Sequence, residues 1–478
     1  VTMTSAALSP VPAQREPGDA SADAVRLALA PSPTAWADPA AARARGKASR
    51  RAVPRSEHAV LAASDRDPVA IVSAGNAGRL EHLVPLRIGR MSASPFAFLR
   101  GAAGVMAHDL AGSPRSGLVA QVCGDAHLSN VGFYASPERR LVLDVNDFDE
   151  TVVGPWEYDL KRLVASVVVA GREAGAGEDA CRSAAYDGAR AYRQTARTLA
   201  KLPFVEAWAF DLGHLLAATD VDDLGATLER VRAKAVGNGS SKVATRFTQR
   251  VENDGWRFLE QPPVLTQVVG REERAIEEGL RGYLATLPED RRTLLGRFTV
   301  ADVAFRVVGV GSVGTRAYVA LLHGNGEDDA LVLQVKESRP SVYAGDPACE
   351  PGAEHAGRRV VLGQKAMQTA SDPLLGWATV DGRPFLVRTF RDMKGSIDPV
   401  TLRGHQLDDY ARLCGALLAR AHARTLDPRA LAAYLGKSDE LDVALAAFAM
   451  AYADRTEADH AALVAAVRSG RLPAQTGV

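Results

Sequence analysis

The run Gly124-Asp125-Ala126-His127-Leu128-Ser129-Asn130, followed by Asp144-Val145-Asn146-Asp147-Phe148-Asp149, brings a carboxylate, a carboxamide five positions on and further carboxylates beyond a hydrophobic stretch. A phosphoryl group in transfer needs little covalent help and much positioning. One carboxylate orients the attacking hydroxyl, and oxygen ligands hold Mg²⁺ against the phosphates. Asp125 suits the first role. Asn130 and Asp147 suit the second, with Asp149 and Asp144 in reserve. Leu141-Val142-Leu143-Asp144-Val145 reads as a strand, and its period-two alternation predicts Asp147 and Asp149 on one face and Asp144 on the other. The plainer alternative is an acidic turn and a solvated hairpin end, because Asp and Asn favour turns through local hydrogen bonds.

A second set of residues lies far downstream, where Val303-Ala304-Phe305-Arg306-Val307-Val308 enters Gly309-Val310-Gly311-Ser312-Val313-Gly314. Glycines at this spacing could open a dinucleotide-binding unit, with Glu337 as the ribose-binding acid. The residues that follow argue against it. Thr315 to His323 is β-rich and ends at Gly324-Asn325-Gly326, a hairpin signal that leaves no room for a crossover helix. On the return strand, Leu331 to Lys336, Lys336 shares a face with Val332 and Gln334 and can reach back under Gly309, Gly311, Ser312 and Gly314 to phosphates. Without the glycines before it, such a lysine would read as a solvated strand edge.

Gly124-Asp125-x-His127-x-x-Asn130 resembles the catalytic loop of the aminoglycoside phosphotransferase and choline kinase branch of the protein-kinase-like fold. Asp147-Phe148-Asp149-Glu150 and Tyr158-Asp159-Leu160 are similar to that branch's metal-binding segment and to the segment that buttresses the loop. Much of the chain also resembles a bacterial family known as domain of unknown function 2252. The motifs are Ser94-Pro95-Phe96-Ala97-Phe98-Leu99-Arg100-Gly101, Gly124 to His127, Val310 to Thr315, Gln334 to Glu337 and Arg391 to Ser396. The resemblance implies an α+β, two-lobed, protein-kinase-like fold that binds ATP and Mg²⁺ and phosphorylates an unidentified hydroxyl acceptor, a small molecule rather than a protein. It implies a loop-ordering role for His127 and a buttressing role for Asp159, which would also favour the positive end of its helix. In ordinary kinases the glycine loop and lysine precede the catalytic loop. Here they follow it, so the fold is expected to be circularly permuted. Cys123 stands where these kinases usually have His, Gln334 replaces a small residue, and the helix expected over 358–368 offers Gln364 but no Glu to pair with Lys336, Glu354 lying upstream. A nucleotide-binding pseudokinase, a regulatory module without catalysis, is the alternative. Asp125-x-His127 also opens the signature of binuclear metallophosphoesterases, but the downstream Asn and His ligands of that class are missing.

The elements that position these residues follow from patterning. A strand over 118–122 feeds the Gly124 loop, helices are expected around Phe96 to Leu99 and Gly104 to Ala107, and Leu160, Leu163, Val164, Val167 and Val168 mark an amphipathic helix over 157–172. The stretch to about residue 290 reads as mostly helical, broken at Gly237 to Lys242, a candidate substrate-side loop. Leu407, Tyr410, Cys414, Leu417 and Ala421 mark a helix ending near Arg424 and lying behind the catalytic loop. The expected divisions are a disordered segment over 1–55, a catalytic helical lobe over 56–295, a nucleotide-covering β lobe over 296–395 and returning helices over 396–478. The 57 basic and 57 acidic residues balance, which gives no electrostatic case for nucleic acid. Four scattered cysteines without a CxxC suggest neither zinc nor disulfides and fit the cytoplasm. No apolar run suggests a signal peptide or membrane span. Oligomeric state leaves no sequence signal.

Overall fold

Four short strands frame the Gly124 loop: β1 (Val119–Val122), β2 (Val131–Ala135), β3 (Leu141–Val145) and β4 (Val152–Pro155). They belong to a computed structural model that describes residues 38–219, 221–251, 255–307, 309–326, 329–350 and 352–475, a mixed α+β chain with several antiparallel sheets. β1 pairs with β4, and β2 with β3. The alternation in 141–145 forms a strand as expected, but β3 ends at Val145. Asp147 and Asp149 therefore lie in irregular backbone beyond it and share no pleated face.

β4 runs directly into helix α1 (Trp156–Glu173), which carries the expected three-four stripe. It is buried on nearly every side rather than on one, so Lys161 and Arg162 are interior cations that need partners. The Lys161 ammonium lies 4.5 Å from the centre of the Phe448 ring. Helix α2 (Glu178–Leu199) crosses the later C-terminal helix over 406–422 at glycines, since a Cβ on Gly415 would sit 2.0 Å from the carbonyl oxygen of Gly188. The region expected to be helical up to about 290 also contains two strands, β5 (Thr248–Val251) and β6 (Gly255–Phe258), paired as a hairpin.

The largest sheet is antiparallel and six-stranded. It contains β7 (Leu265–Gln267), β8 (Thr299–Arg306), β9 (Ala317–His323), β10 (Ala330–Glu337), β11 (Gly376–Val380) and β12 (Arg383–Thr389), in the order β11-β12-β10-β9-β8-β7. It begins at Leu265, earlier than the expected boundary at 296, because helices Arg271–Leu284 and Glu289–Leu295 close one face with Ile276, Leu280 and Leu295 against Val303, Leu333 and Val335. The other face packs Val332, Val319 and Leu321 against Phe258 of the β5–β6 hairpin. β10 thus alternates as predicted, with Val332, Gln334 and Lys336 on one side. Helix α3 (Ala356–Met367) lies between β10 and β11 in sequence and packs on β12, where Gly357 approaches the Phe385 carbonyl. A two-residue strand, Gly395–Ser396, leaves the large sheet and pairs with β2. Helix α4 (Gln406–His422) follows, and the Tyr410 hydroxyl donates to the Leu128 carbonyl at 2.8 Å, which sets the helix behind the loop. Helix α5 (Glu440–Arg468) ends the fold.

The first residues differ from expectation as well. Pro39–Ala52 is a helix capped by Asp38 and packed so closely on Pro428–Leu435 that a Cβ on Gly46 would meet the Ala430 carbonyl at 2.0 Å. The rest of the expected disordered segment, residues 1–37, lies outside the described residues. Among the described residues no helix is long and apolar enough to cross a membrane, and all four cysteines are free thiols.

Candidate active site

Gly124 turns the chain out of β1 at φ +79°, a conformation that favours glycine, and a Cβ there would lie 2.3 Å from the Glu150 carbonyl. The turn is held from behind by Asp159 in the first turn of α1. One oxygen of this fully buried carboxylate accepts the Cys123 N–H at 2.8 Å and the other the Gly124 N–H at 2.9 Å. His422 Nε2 stands 3.2 Å from Asp159, and its Nδ1 meets the Tyr192 hydroxyl at 2.8 Å.

The loop presents Asp125 with one oxygen bound by Arg162 and the other 3.7 Å from His127 Nε2. Burial pushes the Asp125 carboxyl up to about 6 although Arg162 pulls the other way. His127 is 4 % exposed; burial, with Arg162 and Arg100 nearby, holds its pKa well below the usual range, so it is a neutral imidazole. Asn130 donates its amide nitrogen to the Asp125 carbonyl at 2.8 Å, which fixes the flip of the side chain and leaves its oxygen as the unused acceptor.

The downstream residues arrive from the large sheet. Lys336, 4 % exposed, forms an ion pair with Asp149, and the Ser312 hydroxyl approaches the same carboxylate oxygen at 3.3 Å. Burial would raise the Asp149 pKa, but Lys336, Arg388 and Arg359 outweigh it and hold the carboxyl below its usual range. The glycine segment is a tight turn, Val310–Ser312, followed by Gly314 at φ +86°. Val308, just before it, lies outside the described residues. The turn is gripped from outside the sheet: the Leu80 N–H donates to the Gly314 carbonyl at 2.7 Å, and Arg79 Nη1 to the Val313 carbonyl at 2.7 Å.

These parts face one cleft of about 690 Å³, lined by Asp125, Asn130, Asp147, Gly311, Ser312 and Lys336, and also by Gly309 and His127. Gly314 and Asp159 lie behind its wall. Asp144 is not part of it. That reserve ligand is fully buried, paired with Arg420 and bonded to the Thr369 N–H at 2.9 Å, because β3 turns it away from the cleft. Among the described residues no three His, Cys, Asp or Glu side chains form a self-sufficient metal site. Mg²⁺ does not require one, since it usually keeps waters and takes one or two carboxylates together with phosphate oxygens.

The family model described as "Uncharacterized protein conserved in bacteria (DUF2252)" matches residues 79–466, and so spans every element of the cleft. The chain belongs to the DUF2252 family. No curated protein and no solved structure matches it. Several residues of this DUF2252 site escaped sequence reasoning. Arg162 falls in the middle of an apolar helix stripe, and its only local signal is a cation at a position the stripe should bury. Arg388 and Lys394 add positive charge to the cleft wall. Arg391-Asp392-Met393-Lys394-Gly395-Ser396 was a family motif without a task; its backbone carries the chain from β12 to the strand beside β2, past Asn238 of the Gly237 to Lys242 segment, whose carbonyl accepts the Met393 N–H at 3.0 Å.

Proposed function

We propose that this DUF2252 protein is an ATP- and Mg²⁺-dependent phosphotransferase with a circularly permuted protein-kinase-like fold, acting on the hydroxyl group of a small molecule. The observation that carries the reading is the convergence of Asp125, Asn130, Asp147, Gly311, Ser312 and Lys336 on one cleft. The element order supports the permutation. β8, a glycine turn, β9, β10 with its lysine, α3, β11 and β12 follow one another as in a kinase nucleotide lobe, after the Asp125 loop rather than before it.

The donor set fits a nucleotide. Lys336, Arg388 and Lys394 line one cleft, and the repulsion among these cations is what a polyphosphate would relieve. When bound, Mg-ATP supplies the transferable phosphoryl group and the metal charge that neutralises it. Asn130 and Asp147 are the residues that would hold the metal. Asp149, expected as a further ligand, instead pins Lys336, the task a helix glutamate performs in ordinary kinases. Arg162 fixes the rotation of Asp125, whose second oxygen orients the acceptor hydroxyl and receives its proton. Asp159 holds the loop that carries this base.

A nucleotide-binding module without transfer is the second reading, favoured by the grip of Arg162 on Asp125. Thermal unfolding with and without Mg-ATP tests binding, since a ligand of the native state raises its stability. Asp147→Asn and Lys336→Ala should weaken the shift, and a shift from NAD with none from Mg-ATP would restore the dinucleotide reading. Transfer of label from γ-labelled ATP into a metabolite extract tests catalysis. Asp125→Asn should abolish transfer while keeping the Mg-ATP shift. Equal transfer by both proteins, or none by wild type that binds Mg-ATP, would refute the phosphotransferase.

A further inference from the structure

Behind the glycine turn lies a second, smaller cavity of about 160 Å³, which shares Arg100, Asp125, Asp147, Gly311 and Ser312 with the main cleft. Its far wall is built of Arg79, Arg87 and Arg339, and a fourth arginine, Arg100, stands on the side it shares with the main cleft. None of the four forms an ion pair with a described residue. Arg79 donates to the carbonyls of Gly75 and Val313, Arg339 to those of Gly75 and Ala77, and Arg87 to the Gly101 carbonyl and the Asn76 side chain. Arg87 is 4 % exposed, and its Nε is buried without a hydrogen-bond partner. Arg100 makes no hydrogen bond to a described residue; it lies 6.0 Å from the Phe96 ring centre, and its Nε is also buried and unpartnered.

No carboxylate on the other walls, Asp147 included, forms an ion pair with these arginines, although Glu150, Asp149 and Glu337 offset part of the charge of Arg79. Asp125 is taken by Arg162, Asp149 by Lys336 and Glu337 by Arg316. Burial pushes Glu150 up to about 7, although the Val342 N–H donates to it. Burial and the neighbouring arginines lower the basicity of Arg79 and Arg87, a direction that an incoming anion reverses. Buried guanidinium donors without partners are costly, and a planar or tetrahedral oxyanion is the group their fork geometry matches.

We propose that this cavity binds an oxyanion, a carboxylate or phosphate group carried by the acceptor, so that the substrate is an anionic hydroxyl compound rather than a neutral or cationic one. The proposal rests on the phosphotransferase reading for the word acceptor, but the anion site itself does not. An anion seated on Arg79, Arg87 and Arg339 shares its cavity with Asp125, so its attached hydroxyl can reach the base from that cavity.

Inorganic phosphate is the probe. Thermal unfolding of the full chain should rise with millimolar phosphate in wild type, and rise again when phosphate is added on top of saturating Mg-ADP. Arg339→Met, at a half-buried position that lines this cavity and not the main cleft, should weaken phosphate binding about tenfold or more, while Lys336→Ala keeps it. Loss of the phosphate shift in Lys336→Ala with retention in Arg339→Met, or its abolition by Mg-ADP, would place the anion in the nucleotide cleft and overturn the proposal while leaving the nucleotide reading intact. No phosphate shift in wild type would overturn it too. In the labelling assay, the acceptor should come from the fraction of a metabolite extract retained by an anion exchanger; an acceptor in the unretained fraction would refute the substrate class but not the transfer.

Discussion

Replacing Asp125 by Asn should change how the stability of the fold depends on pH, and the structure sets the sign. Burial pushes this carboxyl up to about 6 from an ordinary value of 3.8. Between those two values the folded protein holds a proton that the unfolded chain has released, so stability falls as pH rises through the window. The full cost, reached above the folded value, is about 3 kcal/mol from a shift of about two units. Asn cannot ionise and escapes it. Wild type should therefore be destabilised relative to Asp125→Asn as pH rises from about 4 to about 7, with the change steepest between the two values, near about pH 5. Urea unfolding of both proteins at a series of pH values measures the difference directly. The same ionisation should govern transfer: at about pH 5 a carboxyl at about 6 is only about one-tenth ionised, whereas an ordinary Asp is more than nine-tenths ionised. A stability difference constant across the range would show that Asp125 titrates like an exposed carboxyl, and the case for a poised base would fail.

Asp159→Ala should cost about 3 kcal/mol in chemical denaturation, because the Cys123 and Gly124 N–H groups lose their acceptor in a buried site. Asp144→Ala should cost about 3–5 kcal/mol by leaving Arg420 charged and fully buried, whereas Asp144→Leu combined with Arg420→Met should cost less than the single change. Gly124→Ala should destabilise by about 2 kcal/mol or more through its positive φ and the Glu150 carbonyl, and should depress transfer with it.

Local physics made the first half of the site legible. Gly124, Asp125 and Asn130 sit within one turn, and the apolar run of β3 and the stripe of α1 announce themselves by period. Lys336 was placed on the correct face because β10 alternates cleanly. What stayed hidden was set by long-range pairing. Nothing near Lys336 points to Asp149, 187 positions away in sequence, as its partner. Arg87 and Arg100 lie in helical segments whose local pattern does not show that both line a cavity beside the glycine turn. β5 and β6 were missed because four-residue strands such as Thr248-Gln249-Arg250-Val251 carry too little apolar alternation to stand out from helix. The early start of the large sheet was missed for the same reason, β7 being only Leu265–Gln267.

The two hydrogen bonds that tie the glycine turn to residues 79 and 80 have a kinetic meaning. The Leu80 amide hydrogen is shielded by the Gly314 carbonyl, so any lifting of the turn away from the preceding helices exposes that hydrogen to solvent. Its exchange rate with deuterium therefore counts openings of the turn, and does so at a residue that lines neither cavity. A ligand that holds the turn down should slow exchange at Leu80, giving a backbone probe of occupancy that requires no product to be detected.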